Sequence, residues 1–210
     1  GNAVDYNILN GIELRNPKVA TPEVTAVLNK FKAIASTPLE NANTVFKAGF
    51  VTSNIVDMYL FLDFFRLVDC LSRNNHWMTY DGGVKWLCTP YDLDTWYKSW
   101  NGGNIESPLG RIFTLGINVP KNTEDFWNLK VSSVYDTEIK TRYRQLRDMG
   151  IFSADNVYNI MRDLSTKFTR ELYQLDMDKW PGKTAWSMGV LEISKWIRTR
   201  ISYLDGEYGY

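Results

Sequence analysis

The chain is poor in the residues from which many metal centres and covalent catalytic sites are built. It has 210 residues, with two cysteines and one histidine. Two cysteines are too few for a disulfide framework or for a zinc site made of thiolates. A His-rich metal site or a Ser-His-Asp triad would depend on His76 alone. The thiols of Cys70 and Cys88 are compatible with one disulfide or with two free, buried side chains.

The chain also lacks an excess of charge of either sign. It contains 24 basic and 24 acidic residues, so that its formal net charge is zero. A basic surface that attracts nucleic acid or an anionic membrane is therefore not expected. No stretch approaches the roughly 20 apolar residues that a membrane-spanning helix needs. We expect no nucleic-acid partner and no membrane insertion.

The composition is otherwise that of a folded protein rich in aromatic side chains. Aromatic residues make up 14% of the chain, so that large flat rings should dominate its core or an interface. Residues 1–20 show no periodicity, and we expect an irregular segment there, followed by one domain over residues 21–210. The first residues carry no signal-peptide pattern. Because the chain begins with Gly1 and not with Met, we expect a fragment or a processed product.

Apolar residues recur at helical spacing through most of this domain. Thr21 and Pro22 mark the start of a first helix, which Pro38 ends. A second helix, capped by Ser53 or Asn54, is apolar on nearly all sides and should be buried. Further helices are predicted over residues 123–129, 133–149, 153–177 and 184–204. A long loop rich in Gly, Asn and Pro is predicted over residues 98–121.

One of these predicted helices, over residues 153–177, carries a long apolar stripe. The stripe recurs every three or four residues and consists of Val157, Ile160, Leu164, Phe168, Leu172 and Leu175. This spacing is typical of an amphipathic helix. We interpret it as part of the helical scaffold.

A small β-hairpin is predicted before the long loop. Aromatic and β-branched residues at 76–80 and 84–89 flank Asp81-Gly82-Gly83, which is a typical turn sequence. The second strand ends at Pro90. The predicted fold class is therefore mainly α (α+β), with one small hairpin.

Oxygen-bearing side chains flank this hairpin on both sides. Asp69 ends the buried helix, and Asn74 and Asn75 precede the first strand. Asp92 and Asp94 follow the second strand. Since a hairpin brings its two ends together, these groups are expected to approach one another. Clustered oxygen ligands are what hard cations require, and the pattern predicts a magnesium-dependent phosphoryl-transfer site.

The pair Asp92 and Asp94 supports this prediction. On an extended backbone, side chains two residues apart share a face at a separation of about 7 Å. Two carboxylates at that distance repel by about 2 kcal/mol at an effective dielectric constant of about 20, and a divalent cation or a basic partner removes the penalty. The spacing from Asp69 to Asn74 is that of a hydroxyl-orienting aspartate and a metal-binding asparagine in kinase-type sites. The alternative is that these Asp and Asn residues have a structural role, since both residue types are common in turns.

Two other groups of residues carry weaker signals. His76 opens a strand beside Trp77, and we interpret it as a hydrogen-bonded structural residue. Trp96 and Trp100 lie where the rim of a cleft is expected. Such aromatic rings could bind a sugar, so a carbohydrate-binding module is a third hypothesis, beside the enzymatic and the structural hypotheses described below.

The order of these motifs resembles the core of the spore-coat protein H (CotH) family, an atypical, kinase-like group. The resemblance covers about residues 22–206. The segments that carry it are Asp57-Met58-Tyr59-Leu60, Asp69, Asn74-Asn75-His76-Trp77, Pro90-Tyr91-Asp92-Leu93-Asp94, Phe126-Trp127-Asn128-Leu129, Arg142-Tyr143-Arg144-x-Leu146 and the helix from Trp196 to Asp205. Where this chain has Pro-Tyr-Asp-Leu-Asp, the family usually has Pro-Trp-Asp-x-Asp.

The resemblance implies a helical domain like the C-terminal lobe of a kinase. By position, Asp69 would be the catalytic residue, and Asn74 or Asn75 would bind the metal or the cofactor phosphates. Asp92 would be the principal metal ligand, with Asp94 in support. Mg²⁺ and ATP would be the cofactors, and a protein hydroxyl would accept the phosphoryl group. The family's β-rich lobe with its nucleotide-binding lysine would precede residue 20. The first hypothesis is therefore an atypical protein-kinase domain or its C-terminal lobe.

Some positions depart from the family pattern. Val68 stands near the position where an asparagine is expected before Asp69, and Thr95-Trp96 follows the aspartate pair in place of a small residue and Phe-Gly. Domains of this kind also occur in phage virion and tail proteins. The alternative hypothesis is therefore a non-catalytic structural or receptor-binding adhesion module, with a structural protein partner. The resemblance favours a virion, a spore or a cell surface as the location.

Overall fold

The computed structural model describes residues 9, 12–93, 107–112, 121–181 and 190–210. These residues form helices and one two-stranded antiparallel sheet, which confirms the predicted fold class. Two compact units divide the chain after Arg142. The predicted boundary at residue 20 stays a prediction. No helix in the described ranges combines the length and the apolar character needed to cross a lipid bilayer.

The first helix of the first unit, α1 (Pro22–Ala35), begins where the sequence predicts. The hydroxyl of Thr21 accepts a hydrogen bond from the backbone N–H of Val24 at 3.3 Å, and Pro22 has no amide hydrogen that would need a partner. The helix ends just before Pro38. A 3-10 turn (Leu39–Asn41), a π-helical turn (Ala42–Phe46) and a short helix, α2 (Lys47–Gly49), follow it.

The predicted hairpin is present, with shorter strands than the sequence suggests. β1 (Asn75–Met78) and β2 (Leu87–Pro90) pair antiparallel, with Asn75 opposite Pro90. The connection, residues 79–86, is organised by Asp81, whose carboxylate accepts hydrogen bonds from the backbone N–H groups of Val84 and Lys85. These bonds, chiefly the one from Lys85, hold the pKa of Asp81 below its usual value.

The second long helix, α3 (Thr52–Phe65), is buried nearly all round, as predicted. It begins at Thr52 without a side-chain cap, so the prediction that Ser53 or Asn54 caps it is wrong. Asn54 instead binds β2: its side chain accepts from the N–H of Cys88 (2.6 Å) and donates to the Cys88 carbonyl (2.9 Å). The amide satisfies both main-chain groups as a neighbouring strand would, and this fixes the sheet on α3.

Aromatic rings fill the core of the first unit. The contacting rings are those of Phe31, Phe46, Phe50, Trp77, Trp86, Phe126 and Trp127. Edge-to-face pairs of this kind contribute about 1 kcal/mol each beyond the burial of their area. The indole N–H of Trp127 also donates to the carbonyl of Leu71 at 2.8 Å. The core therefore holds the turn after α3 directly.

The helical region that follows residue 120 is less regular than predicted. It runs through α4 (Lys121–Glu124), a π-helical turn (Asp125–Val131) and α5 (Ser132–Val134). The next helix, α6 (Asp136–Asp148), is followed by Gly150 with φ of 70°, which confirms the predicted end.

The second unit contains two helices where the sequence predicts one over residues 153–177. These are α7 (Ala154–Ser165) and α8 (Arg170–Lys179). Thr169 interrupts the helical path, because its hydroxyl caps α8 by accepting from the N–H of Leu172 at 3.3 Å. The last helix, α9 (Val190–Tyr208), packs against α7. Its predicted start at Thr184 lies outside the described residues.

Cys70 and Cys88 are both buried, and they form no disulfide. Burial raises the pKa of Cys88 well above its usual value, and the nearby Cys70 adds to the shift. The thiol of Cys88 is therefore not prepared to react as a thiolate.

Unit 2 is held together by a polar network around Asp205. Arg147 binds both oxygens of this carboxylate, at 2.8 and 3.1 Å, and the hydroxyl of Tyr143 donates to it at 2.8 Å. Arg147 and Asp205 are largely shielded, with side chains 18% and 24% exposed. Asp155 and Arg198 form a contrasting pair whose side chains are 83% and 64% exposed.

Replacing Asp205 by Asn is expected to lower the free energy of unfolding by about 2 kcal/mol, because it leaves a shielded guanidinium without its counter-charge. Asp155→Asn, which breaks an exposed ion pair, should change stability by less than about 0.5 kcal/mol. Urea denaturation of both variants checks this, and equal effects would contradict it.

Candidate functional site

The turn that carries Asp69 begins with a left-handed residue. Arg66 ends α3 with φ of 55° and ψ of 47°, a conformation that favours glycine and costs other residues about 1 kcal/mol. Its guanidinium is buried and donates to the main-chain carbonyls of Ser107 and Leu109. These bonds offset the backbone cost. The 3-10 turn Val68–Leu71, which includes Asp69, follows at once.

A second polar contact fixes the same segment on α3. Asp63 is fully buried, and its carboxylate accepts from Arg111 Nε at 2.9 Å and from the backbone N–H of Ile112 at 3.0 Å. Arg111 also binds the hydroxyl of Tyr59. Asp63 and Arg66 together hold residues 107–112 against the helix that leads to Asp69.

The turn between Asp69 and β1 is closed by main-chain and side-chain bonds. The carbonyl of Asp69 accepts from the backbone N–H groups of Arg73 and Asn74, both at 3.1 Å. The side chain of Asn75 donates to the carbonyl of Cys70 at 2.8 Å. These bonds set the direction in which the side chain of Asn74 leaves the turn.

The side chain of Asn74 links the two ends of the predicted site. Its Nδ2 donates to Oδ2 of Asp69 at 3.0 Å and to the main-chain carbonyl of Asp92 at 3.3 Å. Those two acceptor oxygens therefore lie no farther apart than the sum of these distances. Because both partners can only accept, the NH₂ group must face them and Oδ1 faces away. Within the described ranges, this Oδ1 accepts no hydrogen bond.

The strand exit is fixed on the turn by two further bonds. The N–H of Tyr91 donates to the carbonyl of Asn74 at 2.8 Å, and the thiol of Cys70 donates to the carbonyl of Tyr91 at 3.6 Å. The rings of His76 and Tyr91 stack with centroids 4.8 Å apart. Asp92 follows with an exposed side chain and φ of 52°, a left-handed conformation that Asp tolerates better than most residues.

The structure thus brings part of the predicted site together. Asp69, Asn74 and the main chain of Asp92 meet, and Oδ1 of Asp69 is buried while the residue as a whole is half-buried. Asp94 lies outside the described residues, as do Trp96 and Trp100. In the described part of the chain, no group of three or more His, Cys, Asp or Glu side chains is placed to hold a metal.

A comparison with protein families bears on this arrangement. The family model described as CotH kinase protein matches residues 10–204. The chain belongs to the CotH kinase family. This membership confirms the resemblance and supports a kinase-like function at the level of the family. Neither a search of curated proteins nor a search of solved structures gave a match.

The sequence prediction missed the residues that hold the segments around the predicted site. These residues are Asp63, Arg66 and Arg111. One signal was available for Asp63, which is a carboxylate in an otherwise apolar helix. For Arg66 the sequence carries no comparable signal, since glycine is the usual residue at such a helix end.

Replacing Asn74 by Asp is expected to lower the free energy of unfolding by about 2 kcal/mol at neutral pH. The variant sets a carboxylate against Oδ2 of Asp69 and the carbonyl of Asp92, where an N–H donor is needed. The loss should shrink as the pH falls into the range in which carboxyl groups bind protons, because a proton restores a donor between the oxygens. Urea denaturation at a series of pH values measures this.

Asn74→Ala is the matched control for this prediction. It removes the same hydrogen bonds without adding a charge, so its loss of stability should vary far less with pH. If the two variants had the same pH profile, the Asn74 side chain would not lie between these oxygens.

Proposed function

We propose that this CotH-family domain takes part in Mg²⁺- and ATP-dependent transfer of a phosphoryl group to a protein hydroxyl. The observation that carries the proposal is the side chain of Asn74, which joins the carboxylate of Asp69 to the main chain of Asp92. In a chain of a kinase-like family, this joins the proposed hydroxyl-orienting residue to the proposed metal-binding segment.

The donor groups of the described residues fit a magnesium ion. Mg²⁺ takes oxygen ligands, keeps several waters and needs only one or two carboxylates from the protein. Asp92 offers an exposed carboxylate, and Asn74 offers an amide oxygen that faces away from Asp69. We assign the metal to these two residues, with support from Asp94. When bound, Mg²⁺ and ATP supply the transferable phosphoryl group and the positive charge that stabilises its transfer.

Asp69 is the residue to which we assign the orientation of the substrate hydroxyl. The side-chain NH₂ of Asn74 donates to its Oδ2 and fixes the orientation of the carboxylate. A fixed carboxylate accepts the hydroxyl hydrogen and directs the oxygen toward the phosphoryl group. A single side chain thus orients this acceptor and offers a metal ligand.

Of Asn74 and Asn75, we propose Asn74 as the ligand of the metal or the cofactor phosphates, because its side chain contacts both Asp69 and Asp92. The side chain of Asn75 instead donates to the carbonyl of Cys70 at 2.8 Å. Its contribution is therefore to close the turn on which Asn74 stands. The sequence leaves both asparagines open as ligands, and we propose only Asn74.

A non-catalytic structural or adhesion module is the second candidate function. It is supported by the apolar side chains that the second unit exposes along α7 and α8. Exposed apolar surface of this kind commonly marks a protein contact. A location in a phage virion or tail stays a prediction, and the proposed carbohydrate contacts Trp96 and Trp100 lie outside the described residues.

Calorimetric titration with Mg²⁺ and ATP tests the first proposal. Binding is expected for the 210-residue chain, and Asp92→Ala should abolish it because the exposed carboxylate is removed. Asp69→Asn should change the dissociation constant by less than about threefold, since this residue is assigned to the substrate hydroxyl.

Asp155→Ala provides the control, because it also removes one exposed carboxylate. It should bind as the unchanged chain does. Absence of binding heat at millimolar ligand, or equal loss in the Asp92 and Asp155 variants, would contradict the proposal and favour the structural alternative.

A further inference from the structure

An apolar stripe that the sequence places on one helix remains exposed in the second unit. Val157 is buried, but the members that follow it are not. The exposed fractions are 50% for Ile160, 44% for Leu164, 55% for Phe168, 49% for Leu172 and 65% for Leu175. Isolated exposed apolar residues are common on protein surfaces, whereas several on one side of a helix commonly mark a contact site.

The last part of this stripe lies on α8, which buries none of its side chains. Leu172 and Leu175 are three residues apart and share one side of the helix. A helix of ten residues is marginal in water unless a packed face stabilises it. Packing of the apolar side of α8 against a partner surface would therefore stabilise this helix.

The charges beside the stripe argue against a lipid surface as that partner. The charged residues of α8 are Arg170, Glu171, Asp176, Asp178 and Lys179, which are more acidic than basic. Helices that lie on anionic membranes carry mainly basic residues beside their apolar side. A protein surface with charges of both signs is the better match.

The order of these charges indicates which protein surface fits. Glu171 lies four residues before Leu175 and Lys179 four residues after it, so all three stand on one side of α8. Glu171 and Lys179 are about 12 Å apart along the helix axis. Both side chains are exposed.

A second copy of α8, running in the opposite direction, complements this pattern. With a two-fold axis at Leu175, Glu171 of each copy lies beside Lys179 of the other, and the two leucines meet between these pairs. A parallel arrangement would instead set Glu171 against Glu171. The formal net charge of zero adds no general repulsion between copies.

We propose that the apolar stripe on α8 is a self-association surface, through which two copies of this chain pair by antiparallel contact of their α8 helices. The contact is isologous, so a single surface suffices to close the dimer. This proposal does not depend on the phosphoryl-transfer site.

Sedimentation equilibrium of the full 210-residue chain tests the proposal. A monomer–dimer equilibrium is expected between micromolar and near-millimolar protein. Leu175→Glu should raise the dissociation constant at least about tenfold, because it sets one carboxylate from each copy against the other at the two-fold axis. Met149→Glu is the matched control, because Met149 is 66% exposed and lies outside the stripe.

Charge reversal tests the direction of the pairing. Glu171→Lys and Lys179→Glu should each weaken the dimer, and the double variant should restore it to within about threefold of the unchanged chain. Circular dichroism confirms that these exposed substitutions leave the helices folded. A monomer at every concentration, or equal weakening by Met149→Glu, would overturn the proposal. A dimer that the double variant fails to restore would overturn the antiparallel arrangement.

Discussion

The site depends on one side-chain amide that serves two acceptors. The NH₂ group of Asn74 holds the carboxylate of Asp69 and the main-chain carbonyl of Asp92 at once. Two oxygens that only accept would otherwise face each other without a donor, at a cost of a few kcal/mol if buried. No other common side chain of this size offers two N–H donors on one side and an oxygen on the other. The chemistry assigned to the site follows from that asymmetry.

This amide is effective only because larger elements bring its partners to it. The aromatic core fixes the turn of Asp69 through the indole of Trp127, and Asn54 fixes β2 on α3. Trp127 supports the segment before β1, and Asn54 supports β2. Rigid supports of this kind are what keep catalytic groups in a productive geometry.

The parts of this architecture that local rules govern could be predicted from the sequence. The cap at Thr21, the hairpin around Asp81 and the end of α6 at Gly150 all follow from the chemistry of a few neighbouring residues. The meeting of Asp69 with Asn74 was also predictable, since a closed turn joins them. The contacts of Arg66 and Asn54 were not, because each binds a main chain more than 30 residues away, for which local pattern carries no signal.

The stripe of α7 and α8 shows a different limit of sequence reasoning. Its periodicity correctly indicates amphipathic helix, but periodicity does not tell which surface covers the apolar side. The cap at Thr169 divides the predicted helix into α7 and α8, and both helices expose apolar side chains of the stripe. Ile160 and Leu164 precede the cap and are exposed as well, so the break alone does not account for the exposed stripe.

The left-handed conformation of Arg66 has a consequence for protein engineering. Glycine placed at a left-handed helix end usually stabilises a protein, since it removes the clash of the side chain with the backbone. Here the same exchange would delete a buried guanidinium that holds two distant carbonyls. A design rule based only on backbone angles would favour this substitution. The chain would then lose one of the two side chains that hold residues 107–112, in exchange for a small relief of backbone strain.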